Sequence, residues 1–300
     1  MPAPIAVTHY TDPGCPWAYS ASPQLAVLRW RYGDQLAWRN VMIGLAEDPQ
    51  RYVDRGYTAS MMTQGYRRFR RLGMPFATQP KERVAATGRA CRAVVAVRLL
   101  DPAREDEAFR ALQFAQFAST LLFDTDEGLR GALARVERLD ADAIIAAIGD
   151  DPRVEDAYQS DRAQTRTAAG SPTEFQGKAA DSDGAVRFTA PSLQFTHADG
   201  RMLEAGGFQP VEAYDVCIAN LDQTLERRAP AADPVEALEA FPYALTTREV
   251  AGLLAQHLTD ADDDGAEEAL IEAAGEGRVV REGLGNGALW HPRLMNTAVR

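Results

Sequence analysis

The chain has 300 residues, of which 46% are hydrophobic and 25% are charged, a balance that excludes wholesale disorder. Its net charge of −11 at pH 7 disfavours general binding to polyanions such as nucleic acids. The three cysteines, Cys15, Cys91 and Cys217, are too few and too widely spaced for a disulfide scaffold or a local zinc knuckle.

The chain shows no signal for export or membrane insertion. Residues 1–10 lack a basic region followed by a long apolar run, so we expect no secretion signal. No run of about 18 apolar residues is present, so we expect no membrane span. These features predict a cytoplasmic protein, in which cysteines remain thiols.

A strand, a helix and a second strand are predicted at the start. Residues 4–10 are rich in β-branched and aromatic side chains and predict the first strand. Turn-forming residues 11–14 follow, and the helical pattern runs from Cys15 to about residue 32. Residues 36–43 alternate as a second strand does, and a strand–helix–strand unit favours a parallel pair.

A long helical block follows the second strand. From residue 48 to about residue 167 nearly every stretch has helical periodicity, which is too long for a loop and predicts an all-α insertion. Asp140 is the expected N-cap of one helix. The predicted helices are 59–71, 81–100, 105–122, 126–138, 141–148 and 154–167.

Strands return after the helical block. Pro191 lies in the middle of an extended segment, where it cannot donate a hydrogen bond to a sheet. The predicted elements are a loop at 170–184, an extended segment at 185–195, a hairpin turn at 197–200, a return strand at 201–204 and a helix at 210–227.

A proline-rich linker at 229–234 precedes a small unit that we expect to be separate. Helices are predicted at 247–258 and 265–274, and Thr246 and Glu249 have the spacing of a capping box. A hairpin follows, at 278–282 and 288–291, so the unit is predicted to be winged-helix-like. Because acidic residues outnumber basic ones here, we expect a packing or protein-interaction module rather than a DNA-binding one.

The residues Cys15-Pro16-Trp17-Ala18 stand at a strand-to-helix junction. A thiol at a helix N-terminus faces unpaired N–H groups and the positive end of the helix dipole, which favour the thiolate. We therefore expect the pKa of Cys15 to lie below its ordinary value. A cysteine three residues further on could form a disulfide with Cys15, but that position is Ala18.

Residues 12–19 resemble the active-site segment of DsbA-like thioredoxin-fold proteins, in which Cys-Pro-Trp-Cys is common. The position of the helical block, the Thr189-Ala190-Pro191 segment at the place of the family's cis-proline loop, and the start of the last helix at 207–212 are similar too. The resemblance covers residues 4–227. It extends to 2-hydroxychromene-2-carboxylate isomerases and kappa-class glutathione transferases, and looks closest to actinobacterial members that use mycothiol.

The resemblance implies an α/β thioredoxin-like fold with a large inserted all-α domain. The thioredoxin-like domain would comprise residues 1–47 and 168–228, and the insertion residues 48–167. The C-terminal winged-helix-like appendage, residues 233–300, lies outside the resemblance.

Roles for individual residues also follow from the resemblance. Cys15 would be the catalytic thiolate, Pro191 would be cis, and the backbone of Ala190 would pair with the substrate. Trp17 and Tyr19 would form walls of the site. His9, at the end of the first strand, is either a group that stabilises the thiolate or a packed histidine. The candidate substrate-binding residues are His9, Pro16, Trp17, Tyr19, Ala190 and Pro191.

Because Ala18 replaces the second cysteine, the function predicted is single-cysteine thiol–disulfide exchange. The co-substrate would be a low-molecular-weight thiol, mycothiol or glutathione, with no tightly bound cofactor and no metal. One alternative is a thiol-dependent isomerase or S-transferase, with Ser20 or Ser22 near the site. Another is a degenerate thioredoxin-fold module that only binds a partner.

The expected partners are small thiols or disulfides, without nucleic acid or membrane, and a second copy or another protein at the C-terminal unit. Cys91 and Cys217 are interpreted as core residues. Asp12 is interpreted as a turn cap or a functional carboxylate. The basic run is either a solvated helix face or a binding surface for a carboxylate; it comprises Arg67, Arg68, Arg70 and Arg71.

Overall fold

The computed structural model, which describes residues 4–181 and 184–293, begins with the predicted strand–helix–strand unit. Strand β1 (Ile5–Thr11) pairs in parallel with β2 (Leu36–Met42). Between them lie α1 (Pro16–Ser20) and α2 (Ser22–Tyr32), which meet at Ala21. The predicted single helix is thus two helices, each with a proline in its first turn, where a missing N–H costs nothing.

The helical insertion has its own apolar core, to which α5 to α9 contribute. Asp140 caps α8 by accepting a hydrogen bond from the Ala143 N–H at 3.0 Å, as predicted. The helix predicted from residue 81 begins only at Gly88, because Arg83 and the Ala86 N–H bind the Asp124 carboxylate instead. The helices are α3 (Gln50–Val53), α4 (Ala59–Tyr66), α5 (Gly88–Leu100), α6 (Glu105–Phe117), α7 (Asp126–Leu133), α8 (Ala141–Asp150) and α9 (Pro152–Thr165).

After the insertion the chain returns to the central sheet, whose strand order is β2-β1-β5-β6. The extended segment predicted at 185–195 is two strands, because Pro191 interrupts it, and the loop predicted at 170–184 contains α10 and β3. Strand β5 pairs antiparallel with both β1 and β6. The elements are α10 (Pro172–Phe175), β3 (Ala179–Ala180), β4 (Arg187–Phe188), β5 (Ser192–His197), β6 (Met202–Gly206) and α11 (Val211–Leu221).

The C-terminal unit adds three helices and a three-stranded antiparallel sheet of order β7-β9-β8. The capping box of Thr246 and Glu249 is present, as predicted. Its elements follow the order helix, strand, helix, helix, strand, strand. The elements are α12 (Pro234–Glu239), β7 (Leu245–Thr246), α13 (Thr247–Leu254), α14 (Asp263–Gly275), β8 (Val279–Leu284) and β9 (Gly287–Pro292).

The C-terminal unit is joined to the rest of the molecule by shared packing, which differs from the expectation of a separate appendage. Val27 and Trp30 of α2 belong to the apolar core of the unit. Arg110 of α6 donates to both carboxylate oxygens of Glu249 in α13, at 2.6 and 3.0 Å, and both side chains are buried. The sequence could not show this, because these contacts join residues that lie far apart in the chain. Within the described ranges, no helix is long and apolar enough to cross a membrane.

Candidate active site

Cys15 is the N-cap of α1, directly before Pro16, and faces the loop that leads into β5. Its Sγ donates a hydrogen bond to the Ala190 carbonyl oxygen at 3.1 Å, across 175 residues of chain. The peptide bond between Ala190 and Pro191 is cis. The fold thus brings together three predicted site residues that are far apart in sequence.

Asp12 anchors the turn that presents Cys15. Its Oδ1 accepts a hydrogen bond from the Gly14 N–H at 2.8 Å, and its Oδ2 accepts one from the Leu45 N–H at 2.8 Å and one from the Thr87 hydroxyl at 3.1 Å. A Cβ at Gly14 would lie 2.3 Å from a Thr87 methyl carbon, so only glycine fits there. Asp12 is fully buried, and burial raises its pKa. It is therefore more than a local turn cap, because it fixes the turn to two other elements.

The pKa of Cys15 does not follow the helix-terminus expectation. Burial raises it to about 12, against the opposing effects of the Ala18 and Trp17 N–H groups, while the Asp12 charge raises it further. Only 7% of Cys15 is exposed, and its hydrogen bond to a carbonyl stabilises the thiol. The prediction of a lowered pKa is therefore wrong for this conformation, because desolvation outweighs the helix N-terminus.

Aromatic side chains from two other segments contact Trp17, which is 42% exposed. The Trp17 ring lies 4.9 Å from Phe69 and 5.6 Å from Phe208. The Arg68 guanidinium lies 5.0 Å from the Phe69 ring, so one member of the basic run borders these aromatics. Sequence reasoning missed Phe69 and Phe208, although Phe208 lies in the segment compared with the family's last helix.

Two predicted site residues lie elsewhere. Tyr19 is fully buried, donates a hydrogen bond to the Pro75 carbonyl at 2.7 Å and stacks on Phe117, so it does not wall an open site. His9 is buried with its Nδ1 3.0 Å from the Asn40 Oδ1, and burial lowers its pKa to about 4. The contacts of His9 therefore belong to the core on the α2 side of the sheet.

The other thiols and charges have packing roles. Cys91 is buried in α5 with its Sγ 3.5 Å from the Asp12 carboxylate. Cys217, in α11, packs against the apolar core between this helix and the sheet. All three cysteines are free. Arg70 donates to the Ala77 carbonyl, so the basic run does not act as one surface. Among residues 4–181 and 184–293, no cluster of three potential metal ligands is found.

The sequence model of the DSBA-like thioredoxin domain matches residues 6–192, which include both Cys15 and the Ala190–Pro191 loop. The chain belongs to this family. No curated protein matches it.

Solved structures with the same fold cover most of this DSBA-like protein. One is a putative protein disulfide isomerase from Nitrosomonas europaea, with 16% identity and a TM-score of 0.55 over 73% of this chain and 98% of that one. Another is the cytosolic disulfide reductase DsbM from Pseudomonas aeruginosa, with 18% identity and a TM-score of 0.51 over 73% and 100%. A third is a probable DsbA oxidoreductase from Streptomyces coelicolor, with 16% identity and a TM-score of 0.53 over 76% and 92%. At these identities the likeness shows the fold alone.

Proposed function

We propose that this DSBA-like protein is a thiol–disulfide oxidoreductase in which Cys15 is the single nucleophile. The observation that carries the proposal is the position of the Cys15 thiol at the start of α1, 3.1 Å from the Ala190 carbonyl. An extended substrate that pairs with the backbone of Ala190 would place its disulfide next to this sulfur. Trp17, which is exposed at the same end of α1, would contact the substrate.

The proposed reaction consists of two disulfide exchanges. The Cys15 thiolate attacks one sulfur of the substrate disulfide, forms a mixed disulfide with it and releases the other sulfur as a thiolate. A low-molecular-weight thiolate, from mycothiol or glutathione, then attacks the mixed disulfide on the substrate's sulfur. Cys15 leaves as a thiolate, and the small thiol and the substrate end in a new disulfide. The net change is an exchange of thiol partners, so no external oxidant is consumed.

A thiol from solution is invoked because the protein offers no suitable partner beside Cys15. Ala18 packs in the same core cluster as Cys15, at the position where the family resemblance places a second cysteine. Cys91 is fully buried and directed at Asp12, and Cys217 packs in the core formed by β1, β5 and α11. A reducing cytoplasm would supply the small thiol.

The raised pKa of Cys15 means that thiolate must be generated when substrate binds. In the free protein, the Cys15 thiol donates its hydrogen bond to the Ala190 carbonyl. A substrate N–H that donates to the same carbonyl would displace the thiol, which would lose its proton to solvent. Substrate binding would thereby remove one of the interactions that stabilise the neutral thiol.

A second candidate function is partner binding without turnover, and the same burial of Cys15 favours it. A thiol whose pKa is about 12 holds very little thiolate at neutral pH. The isomerase or S-transferase alternative gains less support from the serines. Ser20 is fully buried, and Ser22 bonds with Arg110 and Glu249.

The test is reduction of a mixed disulfide between a small thiol and a reporter peptide, with glutathione or mycothiol as the reductant. We expect Cys15→Ala to lower the rate to the uncatalysed level, whereas Cys217→Ala, the matched control, keeps the wild-type rate. Thiol-dependent activity that survives Cys15→Ala would favour the isomerase or transferase class. Absence of turnover with either thiol in the wild-type protein would favour the binding module.

A further inference from the structure

A narrow polar pocket lies on the α2 side of the central sheet, in a core that the thiol chemistry does not use. It has a volume of about 40 Å³, and its lining includes His9, Ser22, Arg110 and Gln113. Within the described part of the chain, the His9 Nε2 and the Gln113 Nε2 are both buried and have no hydrogen-bond partner. Buried polar atoms almost always have partners, so two orphans in one pocket point to a missing ligand.

The hydrogen-bonding character of the His9 Nε2 can be worked out from its neighbours. The Asn40 Nδ2 donates to the Asp106 carboxylate at 2.9 Å, so the Asn40 Oδ1 is the atom that faces the His9 Nδ1 at 3.0 Å. The Nδ1 must therefore carry the proton, which leaves the Nε2 as a bare acceptor. The Gln113 Nε2 is a donor. The pocket thus offers one acceptor and one donor to a ligand.

A wide groove adjoins this pocket. Arg29, Asp106 and Tyr243 line both spaces, so the pocket and the groove are adjacent at these residues. The groove has a volume of about 850 Å³, within the usual range for small-molecule sites, and Trp38 and Phe241 are among its aromatic walls. The pocket alone has room for a terminal group rather than a whole molecule. A ligand that uses both would place its body in the groove.

The charges along the groove are balanced. The Arg29 guanidinium pairs with Asp106 at 2.9 Å, and Arg228 pairs with Glu236 at 2.8 Å. Arginine and acidic side chains occur in equal number among the described residues that line the groove. A strongly charged ligand would have to displace existing ion pairs, whereas an uncharged aromatic body can lie against the rings without doing so.

We propose that the pocket and groove form a second ligand site, distinct from Cys15, for an uncharged aromatic compound. The compound carries one group that both donates and accepts a hydrogen bond, a primary carboxamide or a hydroxyl. This group enters the pocket, donates to the His9 Nε2 and accepts from the Gln113 amide. The ring lies in the groove beside Tyr243 and Trp38. The site does not depend on the proposed redox function.

The test uses small probes and the full-length protein in isothermal titration and ligand-observed NMR. Benzamide and phenol are the probes, benzoate is the charged control and toluene is the apolar control. We expect benzamide or phenol to bind with a dissociation constant of about 1 mM, typical of a small fragment. We expect benzoate and toluene to bind at least about tenfold more weakly, because neither can donate to the His9 Nε2.

Variants assign the binding to this pocket. We expect Gln113→Leu, which keeps the side-chain size, to weaken the tighter probe at least about tenfold. We expect Cys15→Ala to leave the binding constant unchanged, because the thiol lies in another core cluster. His9→Phe removes the other polar partner of the ligand, the His9 imidazole. A circular dichroism spectrum checks that each variant is folded.

Three outcomes would overturn the proposal. In the first, neither benzamide nor phenol binds at 10 mM; in the second, toluene or benzoate binds as tightly as the tighter of these two probes. In the third, Gln113→Leu leaves the binding of the probes unchanged. Binding of either polar probe that is lost in Gln113→Leu supports it, and the tighter probe identifies the group. Because the Gln113 Nε2 has no hydrogen-bond partner, Gln113→Leu breaks no bond of that atom, so this variant keeps the test decisive even where His9→Phe does not fold.

Discussion

The Cys15 site and the His9 pocket lie on opposite sides of β1 and differ in the hydrogen bonding of their buried polar groups. On one side, Tyr10 stacks on Phe188 at 4.2 Å and belongs to the cluster that contains Cys15. Next to it in sequence, His9 lies on the opposite side, because successive residues of a strand alternate. At the Cys15 site the thiol has a carbonyl partner, and Asp12 accepts hydrogen bonds on both oxygens. In the pocket beside His9, the described Nε2 atoms of His9 and Gln113 are buried and have no partner.

This difference shows that the sequence motif and the buried polar atoms without partners lie in different parts of the molecule. The Cys-Pro-Trp-Ala motif marks a thiol that is closed off in the free protein. The buried polar atoms without hydrogen-bond partners lie on the other side of the sheet, the α2 side. The residue between the two is Ala18, which packs with Cys15 and also lines the polar pocket. Three predictions test this contrast, from the largest expected effect to the smallest.

The first prediction concerns the ion pair that holds the C-terminal unit against the His9 side. In Arg110→Met, the Glu249 carboxylate stays buried without its charged partner, and we expect the free energy of unfolding to fall by about 3–5 kcal/mol. Urea denaturation measures it. Arg130→Met is the control, because the Arg130–Asp142 pair is exposed and should contribute less than about 1 kcal/mol. A loss below about 1 kcal/mol in Arg110→Met would contradict a firmly attached C-terminal unit.

The second prediction concerns the closed state of the Cys15 side. With a pKa of about 12, the thiolate fraction near pH 8 is about a thousandfold below that of a thiol with a pKa near 9. The greater nucleophilicity of a more basic thiolate offsets part of this, so we expect alkylation of Cys15 to be about 50-fold slower than that of a small free thiol. Iodoacetamide labelling followed by mass spectrometry measures the rate at this residue.

The pH profile of the same reaction gives a sharper criterion. We expect the alkylation rate of Cys15 to rise about tenfold per pH unit from pH 7 to 10, without a plateau. Because burial raises the folded-state pKa, stability linked to this thiol is complete below the unfolded-state pKa and declines as pH rises toward 12. Cys15→Ala should therefore reduce the loss of stability above pH 9. A midpoint near 7 would show that the helix N-terminus dominates after all.

Much of the fold could be predicted from local signals. The parallel pair of β1 and β2, the helical insertion, the Asp140 cap and the Thr246–Glu249 capping box follow from spacing and turn chemistry. The division of segment 185–195 into two strands could be predicted only in part. Pro191 marks the break, but the sequence does not show with which strands the two parts pair. Attachment of the C-terminal unit could not be predicted, because it depends on a long-range pair such as Arg110–Glu249.

Some residues of the candidate site could be predicted from the sequence, but their electrostatic properties could not. Cys15, Ala190 and Pro191 come together as the family resemblance implies. The pKa of Cys15 could not be predicted, because the helix terminus is visible in the sequence but the burial comes from distant residues such as Phe188. The orphaned nitrogens of His9 and Gln113 were also invisible, since an unmade hydrogen bond has no sequence signature.

The third prediction compares one matched substitution on each side. Gln113→Leu replaces a buried amide whose Nε2 has no partner with an apolar side chain of similar size, so we expect the free energy of unfolding to rise by about 1 kcal/mol. Thr87→Val, of equal size to threonine, removes the hydroxyl that donates to Asp12 at 3.1 Å, so we expect a fall of about 1–2 kcal/mol. Urea denaturation of both variants beside the wild-type protein measures the two effects. Opposite signs are the decisive result, because equal signs would mean that the polar groups on the two sides are bonded alike.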